Sequence, residues 1–554
     1  MHSPRHILTA VAIVLFFQVS GQTYISGELT SHTTWTEAAS PYVITDSLIV
    51  GSSAILTLEA GTKIMFKYHP DPVKKSFMVV HGGIRSNGNF ENFVVFTSDR
   101  DDSVMDLHGD GQATLPRPGD WEYVRFNNTN PGEGEHGLDW TLFRYGGGRN
   151  PDSLSLPEYY PMVTFRDEIH NDYNTMWVND CQFEYSKGVG IRMGNAVINN
   201  TYINNCAHGI LLTSSTCGLT NSVIQGNAGY PILFNGLKMT LDYADSETEN
   251  FFIEEFSGNS YSNNGQNYFA MGGDVVVMEG DEIPGPMTMD LFWKKLPIPY
   301  LVTSPLKFYG LNIYMYKGTL VKFKYYPEHS RKPFFYLDSG SSLFANMVGG
   351  DEPIVFTSEY DHRYDYEPFT GSHRDPMAGD WGYIEGSDFD LRDCVFKYGG
   401  LYADPSTGEA VPDSSAVLRA RAGVSGSTRL TGCLFNNLYR NGIMVLFESS
   451  VDHPMNIIST SFLLAKNHYG IKTVEPEGVN EWSIEATDNY WYGKLGPFHP
   501  DSNAIGNGCK IDDNITFRPF MGASDDELEL VSSVVRGIVR NLDGEVIPNA
   551  LVKL

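Results

Sequence analysis

The chain has 554 residues, and its 67 acidic residues outnumber its 39 Lys and Arg residues, which gives a formal net charge of −28. Aromatic residues make up 13% of the sequence, so the chain has far more apolar surface than a disordered acidic tail. The acidic balance argues against a nucleic-acid partner, because binding a phosphate backbone requires Lys and Arg. With 55 glycines, the composition favours an all-β fold of short strands and tight turns.

Residues 1–21 have the pattern of a signal peptide. His2, Arg5 and His6 precede an apolar run over residues 7–17, and small residues follow at positions 20 and 21. This run is too short to span a bilayer, and no later run reaches about 18 apolar residues. We therefore expect a secreted protein, extracellular or on the cell surface, without a membrane span.

The next part of the chain consists of two similar stretches, predicted as residues 22–235 and 236–521. The segment VVFTSDRDD at Val94 returns as IVFTSEYDH at Ile354, 260 positions later. The segment PGDWEYVRF at Pro118 returns as AGDWGYIEG at Ala378 with the same offset. Two further pairs, GTKIMFK with GTLVKFK and LDWTLFRYGGG with LRDCVFKYGGL, keep the same order. Matches in a common order indicate a duplicated architecture rather than independent domains.

A shorter period runs inside each stretch. Segments such as NDCQFEYSKGVGI and NTYINNCAHGI join a short apolar strand to an Asn/Gly turn, and they recur about every 20 residues. Alternation within the strands places every second side chain in a shared interior. Asn and Gly supply the left-handed backbone conformation that sharp corners need. The pattern predicts a parallel β-helix, in which each strand pairs with its counterpart one coil later, about 4.8 Å away.

The order of these segments resembles a known group of proteins. SPYVITDSLIVGSSAILTLEAGTKIMF, FTSDRDDSVMDLHGDG, PGDWEYVRF and YGGG together resemble the opening of secreted bacterial right-handed β-helix proteins of the pectate-lyase-like superfamily. GNSYSNNGQNYF is similar to their inner coils, and residues 486–521 resemble the segment that closes such helices. The resemblance covers residues 23–521 and implies a right-handed parallel β-helix and export, but no single reaction.

The end of the sequence has a different character. Residues 522–533 are predicted as an acidic linker, and residues 534–554 resemble the first strands of a carboxypeptidase-regulatory-like module with an Ig-like β-sandwich. Asn541, Asp543 and Gly544 would form its hairpin turn. Because such a sandwich needs about 100 residues, we expect further C-terminal domains beyond Leu554, and an isolated hairpin is the alternative.

Six cysteines are spread over the chain, and none of them belongs to a CxxC pair. Export permits disulfides, but six cysteines in a chain of this length do not make a disulfide scaffold. We predict that they are small core residues, with a local bridge between Cys206 and Cys217 as the alternative.

An acidic loop in the first stretch is the strongest candidate for an ion site. Ca²⁺ takes six to eight oxygen ligands, so alternating acidic residues followed by Gly are typical of a calcium loop. His108 and Arg117 stand where an EF-hand needs oxygen ligands, which excludes that motif. Resembling loops in the family imply a structural calcium, and a solvated loop without an ion is the alternative. The candidate ligands are Asp99, Asp101, Asp102, Asp106 and Asp110.

Trp121 and Trp381 follow Gly-Asp at equivalent places in the two stretches. Aromatic rings can stack on sugar rings, so both are candidate glycan-binding residues, whereas a duplicated position also fits packing inside each coil.

The sequence contains no complete set of catalytic residues. Asp167, Glu168, His170 and Asp172 lie together in one loop-like segment, whereas catalytic groups on a solenoid should come from adjacent coils. Asp512 and Asp513 are neighbours, so on a strand they would face opposite ways. His208, in the segment CAHGI, is interpreted as a turn residue. No catalytic residue is therefore assigned.

These patterns predict a non-catalytic, adhesin-like protein that binds polysaccharides, cell-surface glycans or other surface partners. One alternative is a polysaccharide lyase or glycoside hydrolase acting on acidic polysaccharide, which a cleft with three or more carboxylates from adjacent coils and a nearby Arg or Lys would favour. An evenly packed helix face would favour binding. The other alternative is a structural spacer that carries later domains.

Overall fold

The computed structural model confirms the predicted all-β class. It describes residues 17–19, 21–127, 137–149, 160–165, 176–194, 196–213, 217–240, 256–278, 289–347, 350–365, 374–422, 426–448, 454–474 and 483–521. Three predicted features lie outside these residues: the loop-like group of Asp167, Glu168, His170 and Asp172, the acidic linker and the Ig-like strands. The described chain divides into two compact units, the first reaching residue 234 and including 256–268, the second comprising 235–240 and the residues from 269 onward.

The first unit is built from short strands. In chain order these are β1 (Phe17–Val19), β2 (Gln22–Leu29), β3 (Thr33–Trp35), β4 (Tyr42–Val50), β5 (Ile55–Glu59), β6 (Lys63–Phe66), β7 (Phe77–Val80), β8 (Gly83–Asn87), β9 (Val94–Ser98), β10 (Val124–Phe126), β11 (Gly137–Asp139), β12 (Thr141–Arg144), β13 (Pro161–Phe165), β14 (Met176–Asn179), β15 (Gln182–Glu184), β16 (Val189–Met193), β17 (Ala196–Asn199), β18 (Tyr202–Asn204), β19 (His208–Leu212), β20 (Cys217–Thr220), β21 (Val223–Gln225), β22 (Ile232–Thr240), β23 (Phe256–Ser257) and β24 (Ser260–Ser262).

The second unit continues the numbering, and it also includes residues 235–240 at the end of β22. Its strands are β25 (Phe269–Met278), β26 (Met289–Trp293), β27 (Tyr300–Tyr309), β28 (Leu311–Tyr316), β29 (Leu320–Phe323), β30 (Phe335–Leu337), β31 (Ser342–Met347), β32 (Ile354–Ser358), β33 (Ile384–Gly386), β34 (Phe389–Arg392), β35 (Cys394–Lys397), β36 (Ala416–Ala422), β37 (Thr428–Thr431), β38 (Leu434–Asn436), β39 (Asn441–Phe447), β40 (Met455–Ile458), β41 (Ser461–Leu463), β42 (Tyr469–Val474), β43 (Ile484–Glu485), β44 (Lys510–Ile511) and β45 (Ile515–Thr516).

Helical structure in the described ranges is limited to single 3₁₀ turns. They are Glu37–Ala39, Pro72–Lys74, His329–Arg331, His362–Tyr364 and Pro412–Ser414. No described helix is long and apolar enough to cross a membrane.

The strands of the first unit form three parallel ladders. The first ladder is β4–β7–β10–β13–β16–β19–β22, the second is β4–β6–β9–β12–β15–β18–β21–β24, and the third is β3–β5–β8–β11–β14–β17–β20–β23. The long strand β4 pairs with both β6 and β7, so the first two ladders begin together. From β5 onward the chain visits the third, second and first ladders in that order. This parallel connectivity is compatible with a β-helix solenoid.

The second unit has the same kind of connectivity. Its first ladder is β25–β27–β30–β33–β36–β39–β42–β44, its second is β27–β29–β32–β35–β38–β41, and its third is β26–β28–β31–β34–β37–β40–β43–β45. Here β27 pairs with both β29 and β30, as β4 does with β6 and β7 in the first unit. Among the described strand pairs, β1, within the predicted signal peptide, departs from this parallel pattern and lies antiparallel to β2. Two isolated bridges, Ala403 with Ala410 and His499 with Asn503, are antiparallel as well.

Residues in the left-handed region occupy the corners between ladders. Where the third ladder turns into the second, the first unit has Trp140, Asp180, Asn200 and Asn221 at φ values of 47°–56°. The matching corners of the second unit include Asp393, Ser459 and Asp488. Asn, Asp and Gly tolerate this conformation best, and they fill most of these corners, as the Asn/Gly pattern predicts.

Aromatic side chains stack along the interior of each unit. In the first, Phe96, Phe143 and Phe183 follow one another at ring distances of 4.5 and 5.2 Å. In the second, the stack is longer, with ring distances of 4.8–5.1 Å along Phe356, Phe396, Phe435, Phe462 and Trp491. Burying one such ring contributes about 1.5–3 kcal/mol, so the stacks are a major source of core stability.

Small polar residues and cysteines line the corners beside these stacks. The backbone N–H of Ser186 donates to Cys206 Sγ, that of Cys206 to Asn227 Oδ1, and that of Asn227 to Asn264 Oδ1. All six cysteines are buried and none of them is in a disulfide, which fits their predicted role as small core residues.

Candidate functional site

The acidic loop follows β9, and its first two candidate ligands fasten it to the coils. Asp99 Oδ1 accepts the backbone N–H of Tyr68 at 2.8 Å, one coil earlier. Asp101 accepts the hydroxyl protons of Thr97 at 2.7 Å and Ser103 at 2.5 Å. Both carboxylates are buried. Since each already has hydrogen-bond donors, Asp99 and Asp101 position the loop.

The other three candidate ligands come together. One carboxylate oxygen from each of Asp102, Asp106 and Asp110 lies within 4.8 Å of the others, and the structure places Asp99 and Asp101 outside this group. Asp106 accepts backbone N–H groups of Gly109 at 2.6 Å and Gly111 at 2.9 Å, which shapes the loop around it. Asp102 is half-buried, and neither of its carboxylate oxygens accepts a hydrogen bond from another described residue.

The pKa values of these carboxyls follow from their surroundings. Removal from solvent, followed by repulsion from Asp106 and Asp110, raises the pKa of Asp102. Backbone N–H donors, led by Gly111, lower the pKa of Asp106. The loop therefore stabilises negative charge at Asp106, whereas at Asp102 burial and the two neighbouring carboxylates outweigh the opposing influence of His108.

The equivalent loop of the second stretch carries its own cations. Asp361 accepts the Thr357 hydroxyl proton at 2.8 Å, as Asp101 does from Thr97, and it is paired with Arg363 at 2.8 Å. Asp365 is paired with the buried Lys322 and, at 2.7 Å, with His362. The two loops are held by similar hydrogen bonds. They differ in charge, because the carboxylates of the second loop are paired with cationic side chains.

A second group of possible metal ligands lies near the end of the described chain, at His499, Asp501 and Asp513. His499 Nδ1 accepts the backbone N–H groups of Asp501 and Ser502, and Nε2 lies 2.9 Å from Asp513 Oδ1. Both ring nitrogens are engaged within the protein, so the His499 imidazole helps to hold the terminal loops together.

Trp121 and Trp381 are completely buried. Trp121 stacks on Phe66 at 4.3 Å, and Trp381 stacks on Phe323 at 4.0 Å. Each indole N–H donates to a backbone carbonyl, at 2.9 and 2.8 Å. Neither ring has a face open to a sugar, and their geometry fits packing within each coil.

A different tryptophan is exposed. Trp177 is 51% accessible and projects outward from β14, whose neighbouring residues Met176 and Val178 face the core. The alternation in MWVN is the sequence signal that separates this side chain from the buried ones.

Glu122 is a buried acid among cations from successive coils. It is 3% exposed, and its Oε1 lies 3.7 Å from Arg149 Nη1. Burial raises its pKa to about 7, against the opposing influence of Arg149 and Lys75. Burial and the nearby Lys187 lower the pKa of Lys75, whose Nζ donates to the Gly119 carbonyl. The sequence carried no signal that separated Glu122, just before β10, from other acidic residues near strands.

The remaining catalytic candidates have structural contacts. Asp512 accepts the Thr473 backbone N–H at 2.8 Å, while His208 begins β19 and its Nδ1 accepts the Tyr230 N–H at 2.9 Å.

A cavity of about 410 Å³ in the second unit, beside Tyr398 and His468, has no carboxylate in its lining. The described residues around it do not form a carboxylate pair of the kind that glycosidases use.

Comparison with known proteins assigns no family to this chain. No protein-family model, no curated protein and no solved structure matches it.

Proposed function

We propose that this chain is an extracellular, non-catalytic protein of two similar right-handed β-helical stretches that binds glycans through an outward sheet face in the first unit. The exposed indole of Trp177 within a regular array of polar side chains is the observation that carries the proposal. The right hand is the one that connections between parallel strands adopt in about 98% of cases.

The in-register neighbours of Trp177 leave its ring accessible. Along the third ladder, Trp177 pairs with Gly137 on one side and Val197 on the other, and Val197 pairs with Gly218. Gly137 has no side chain to cover the indole, so the row is low on that side of the ring, while the Val197 side chain borders the ring on the other side. A flat ring with one open side is a suitable surface for the apolar face of a pyranose.

A second row on the same face supplies hydrogen-bonding groups. Two residues further along each strand, successive coils present Asn87, Asp139, Asn179, Asn199 and Thr220 in register. Asn179 Nδ2 donates to Asp139 at 3.1 Å and the Thr220 hydroxyl donates to Asn199 at 2.9 Å, which orders the row. Amide, carboxylate and hydroxyl groups retain further lone pairs and protons for sugar hydroxyls.

The spacing of this face suits a chain-like ligand. Adjacent coils repeat at about 4.8 Å, so a polymer running along the ladder meets equivalent polar groups at each step. Trp177 would hold one sugar ring by stacking, and the polar row would orient its hydroxyls. Because amide–carboxylate ladders also stabilise solenoids on their own, the indole is the part of the face whose removal discriminates between the two roles.

The test is a glycan array followed by calorimetric titration with the glycan that binds best. Loss of one aromatic stacking contact, worth about 0.5–1.5 kcal/mol, predicts an affinity about two- to tenfold lower for Trp177→Ala, with partial retention in Trp177→Phe. Phe90→Ala is the matched control, because Phe90 is a 70% exposed aromatic residue of the same unit and lies on another segment.

Three results would overturn the proposal. One is unchanged affinity in Trp177→Ala, and the second is no binding to any glycan by the unmodified protein. The third is the release of unsaturated products or new reducing ends during incubation with acidic or neutral polysaccharides, which would establish the lyase or hydrolase alternative.

A further inference from the structure

We infer that Cys394 and Cys433 form a disulfide that joins two adjacent coils of the second unit in the exported protein. In the structure the two side chains are neighbours without a covalent bond between them. The inference rests on the export part of the proposed function, because a disulfide needs an oxidising compartment, and it does not depend on the glycan face. Such a bond would hold the two coils together by closing the loop of chain between them.

The two cysteines occupy the same position in successive coils. They stand at the start of β35 and directly before β38, and these strands are paired in register in the second ladder. The Sγ atom of Cys394 lies 3.7 Å from the Ala345 carbonyl oxygen, and that of Cys433 lies 3.5 Å from the Leu391 carbonyl oxygen. Because Ala345 and Leu391 are themselves in-register neighbours, the two thiols point the same way, one coil apart.

The spacing of the two cysteines suits a disulfide. Neighbouring strands lie about 4.8 Å apart, and the Cα atoms of bonded cysteines lie about 4.4–6.8 Å apart. The thiols also contact each other, since burial and then a hydrogen bond with the Cys433 thiol raise the pKa of the Cys394 thiol well above its usual value. The two residues are 0% and 1% exposed, so the folded coils would shield the bond from reductants.

The same corner position in other coils shows what is distinctive about this pair. The position forms a corner row of small residues whose side chains donate to the carbonyl oxygen two residues earlier. The corner row consists of Thr141, Cys181, Thr201 and Ser222 in the first unit and Cys394, Cys433 and Thr460 in the second.

A single cysteine fills the corner row as a threonine or serine does. Cys181 lies between Thr141 and Thr201, so it has hydroxyl neighbours in the row on both sides. Within the described part of the row, Cys394 and Cys433 are the place where two thiols occupy successive coils. Small size explains one cysteine at this position, whereas two in succession place a second sulfur within reach of the first.

The bond forms by thiol–disulfide exchange with a disulfide-bearing oxidant, before the coils bury the two thiols. The thiolate of one cysteine attacks the disulfide of the oxidant, which gives a mixed disulfide and releases one thiol of the oxidant. The second cysteine then attacks the protein sulfur of the mixed disulfide, and the second thiol of the oxidant leaves. Two protein thiols are oxidised, one disulfide of the oxidant is reduced to two thiols, and the two protons pass to the leaving thiolates.

The test is mass spectrometry of the full chain refolded with reduced and oxidised glutathione, then unfolded, alkylated and digested with trypsin without reductant. Because trypsin cuts after Arg and Lys, the bond joins residues 393–397 to residues 430–440. We expect this linked pair of peptides, and alkylation of four of the six cysteines, since two are in the bond. Refolding in excess reductant should give six alkylated cysteines and no linked pair.

Two cysteine variants form a matched comparison under the same glutathione conditions. Cys433→Ser removes one partner, so Cys394 becomes available and all five remaining cysteines should be alkylated. Cys181→Ser removes the cysteine at the same corner position of the first unit, and it should leave three alkylated cysteines with the linked pair intact. The loss of a cysteine thus raises the count in one variant and lowers it in the other.

Six alkylated cysteines after refolding with oxidised glutathione would overturn the inference. So would a bond between other cysteines in place of this one, such as Cys206 with Cys217. Both results come from the unmodified chain, so they do not depend on whether a variant folds. Cell fractionation tests export separately, and a failure of export therefore gives a different result from a failure of the two cysteines to form a bond.

Discussion

Burial and charge act in opposite directions on Glu122. The side chain is 3% exposed, which disfavours the carboxylate, while Arg149 and Lys75 favour it and Asp46 disfavours it. Burial dominates, so the pKa rises from 4.5 to about 7. Because the folded protein then binds the proton more tightly than the unfolded chain, stability decreases as the pH rises from about 4.5 through 7.

Replacing this acid with a neutral isostere should remove that pH dependence. The shift to a pKa of about 7 corresponds to about 3 kcal/mol, and the lost Arg149 contact offsets part of it. Glu122→Gln should therefore be more stable than the unmodified protein by about 1–3 kcal/mol above pH 7, with little difference below pH 4.5. Thermal unfolding at several pH values measures this difference, with the exposed Glu59→Gln as control. Parallel pH curves for Glu122→Gln and the unmodified chain would contradict the prediction.

Residue type alone did not locate the exposed tryptophan. The repeated Gly-Asp-Trp segments drew attention to Trp121 and Trp381, and a repeated position is also what a shared packing role produces. Trp177 belongs to no such repeat, yet its alternation with Met176 and Val178 already implied an outward side chain. Exposure at a single site depends on the neighbouring coil, where Gly137 leaves the ring uncovered.

At the scale of elements, the corners are held by buried amides. Asn489 is completely buried, accepts the Thr460 backbone N–H at 2.8 Å, and donates to the Ile457 carbonyl at 2.6 Å. One side chain thus satisfies a donor and an acceptor where the coil leaves β40. A buried backbone group that loses its partner costs about 1–3 kcal/mol.

Asn489→Ala should therefore lower stability by about 2–4 kcal/mol. The matched control is Asn456→Ala, an exposed position on β40 of the same unit, which should stay within about 0.5 kcal/mol of the unmodified protein. Midpoints of denaturant unfolding provide the comparison. Equal midpoints for the two variants would show that the corner amide is not needed.

Strands and corners could be predicted from the sequence because their signals are local. Alternation marks the strands, and Asn or Gly marks the corners, so the parallel coils followed from the repeat. The different surroundings of the five aspartates in the acidic loop could not be predicted in the same way. Asp99 and Asp101 differ from Asp102 only through their hydrogen-bond partners, which include Tyr68 one coil earlier and Thr97 on β9 of the same coil. The distance to Tyr68 depends on how the coils stack.

At the scale of the whole molecule, each coil is stabilised by its contacts with the neighbouring coils. A single coil cannot bury its own interior, so each one depends mainly on the coils that contact it. The net charge of −28 adds repulsion along the chain, which local cations such as Lys322 and Arg363 relieve. Damage to one coil should therefore spread to adjacent coils and weaken with distance.

Phe435 allows this locality to be tested within the second unit. Its ring is completely buried between Phe396 at 5.0 Å and Phe462 at 5.1 Å. Phe435→Ala should cost about 3–5 kcal/mol, since it removes a stacked ring and leaves a cavity. Hydrogen exchange followed by mass spectrometry should show faster exchange in β35, β38 and β41, with β29 unchanged. Met377→Ala, at a 60% exposed position, controls for loss of side-chain volume. Equally faster exchange throughout β29 to β41 would mean that the coils unfold as one cooperative block, and the nearest-neighbour account would then be wrong.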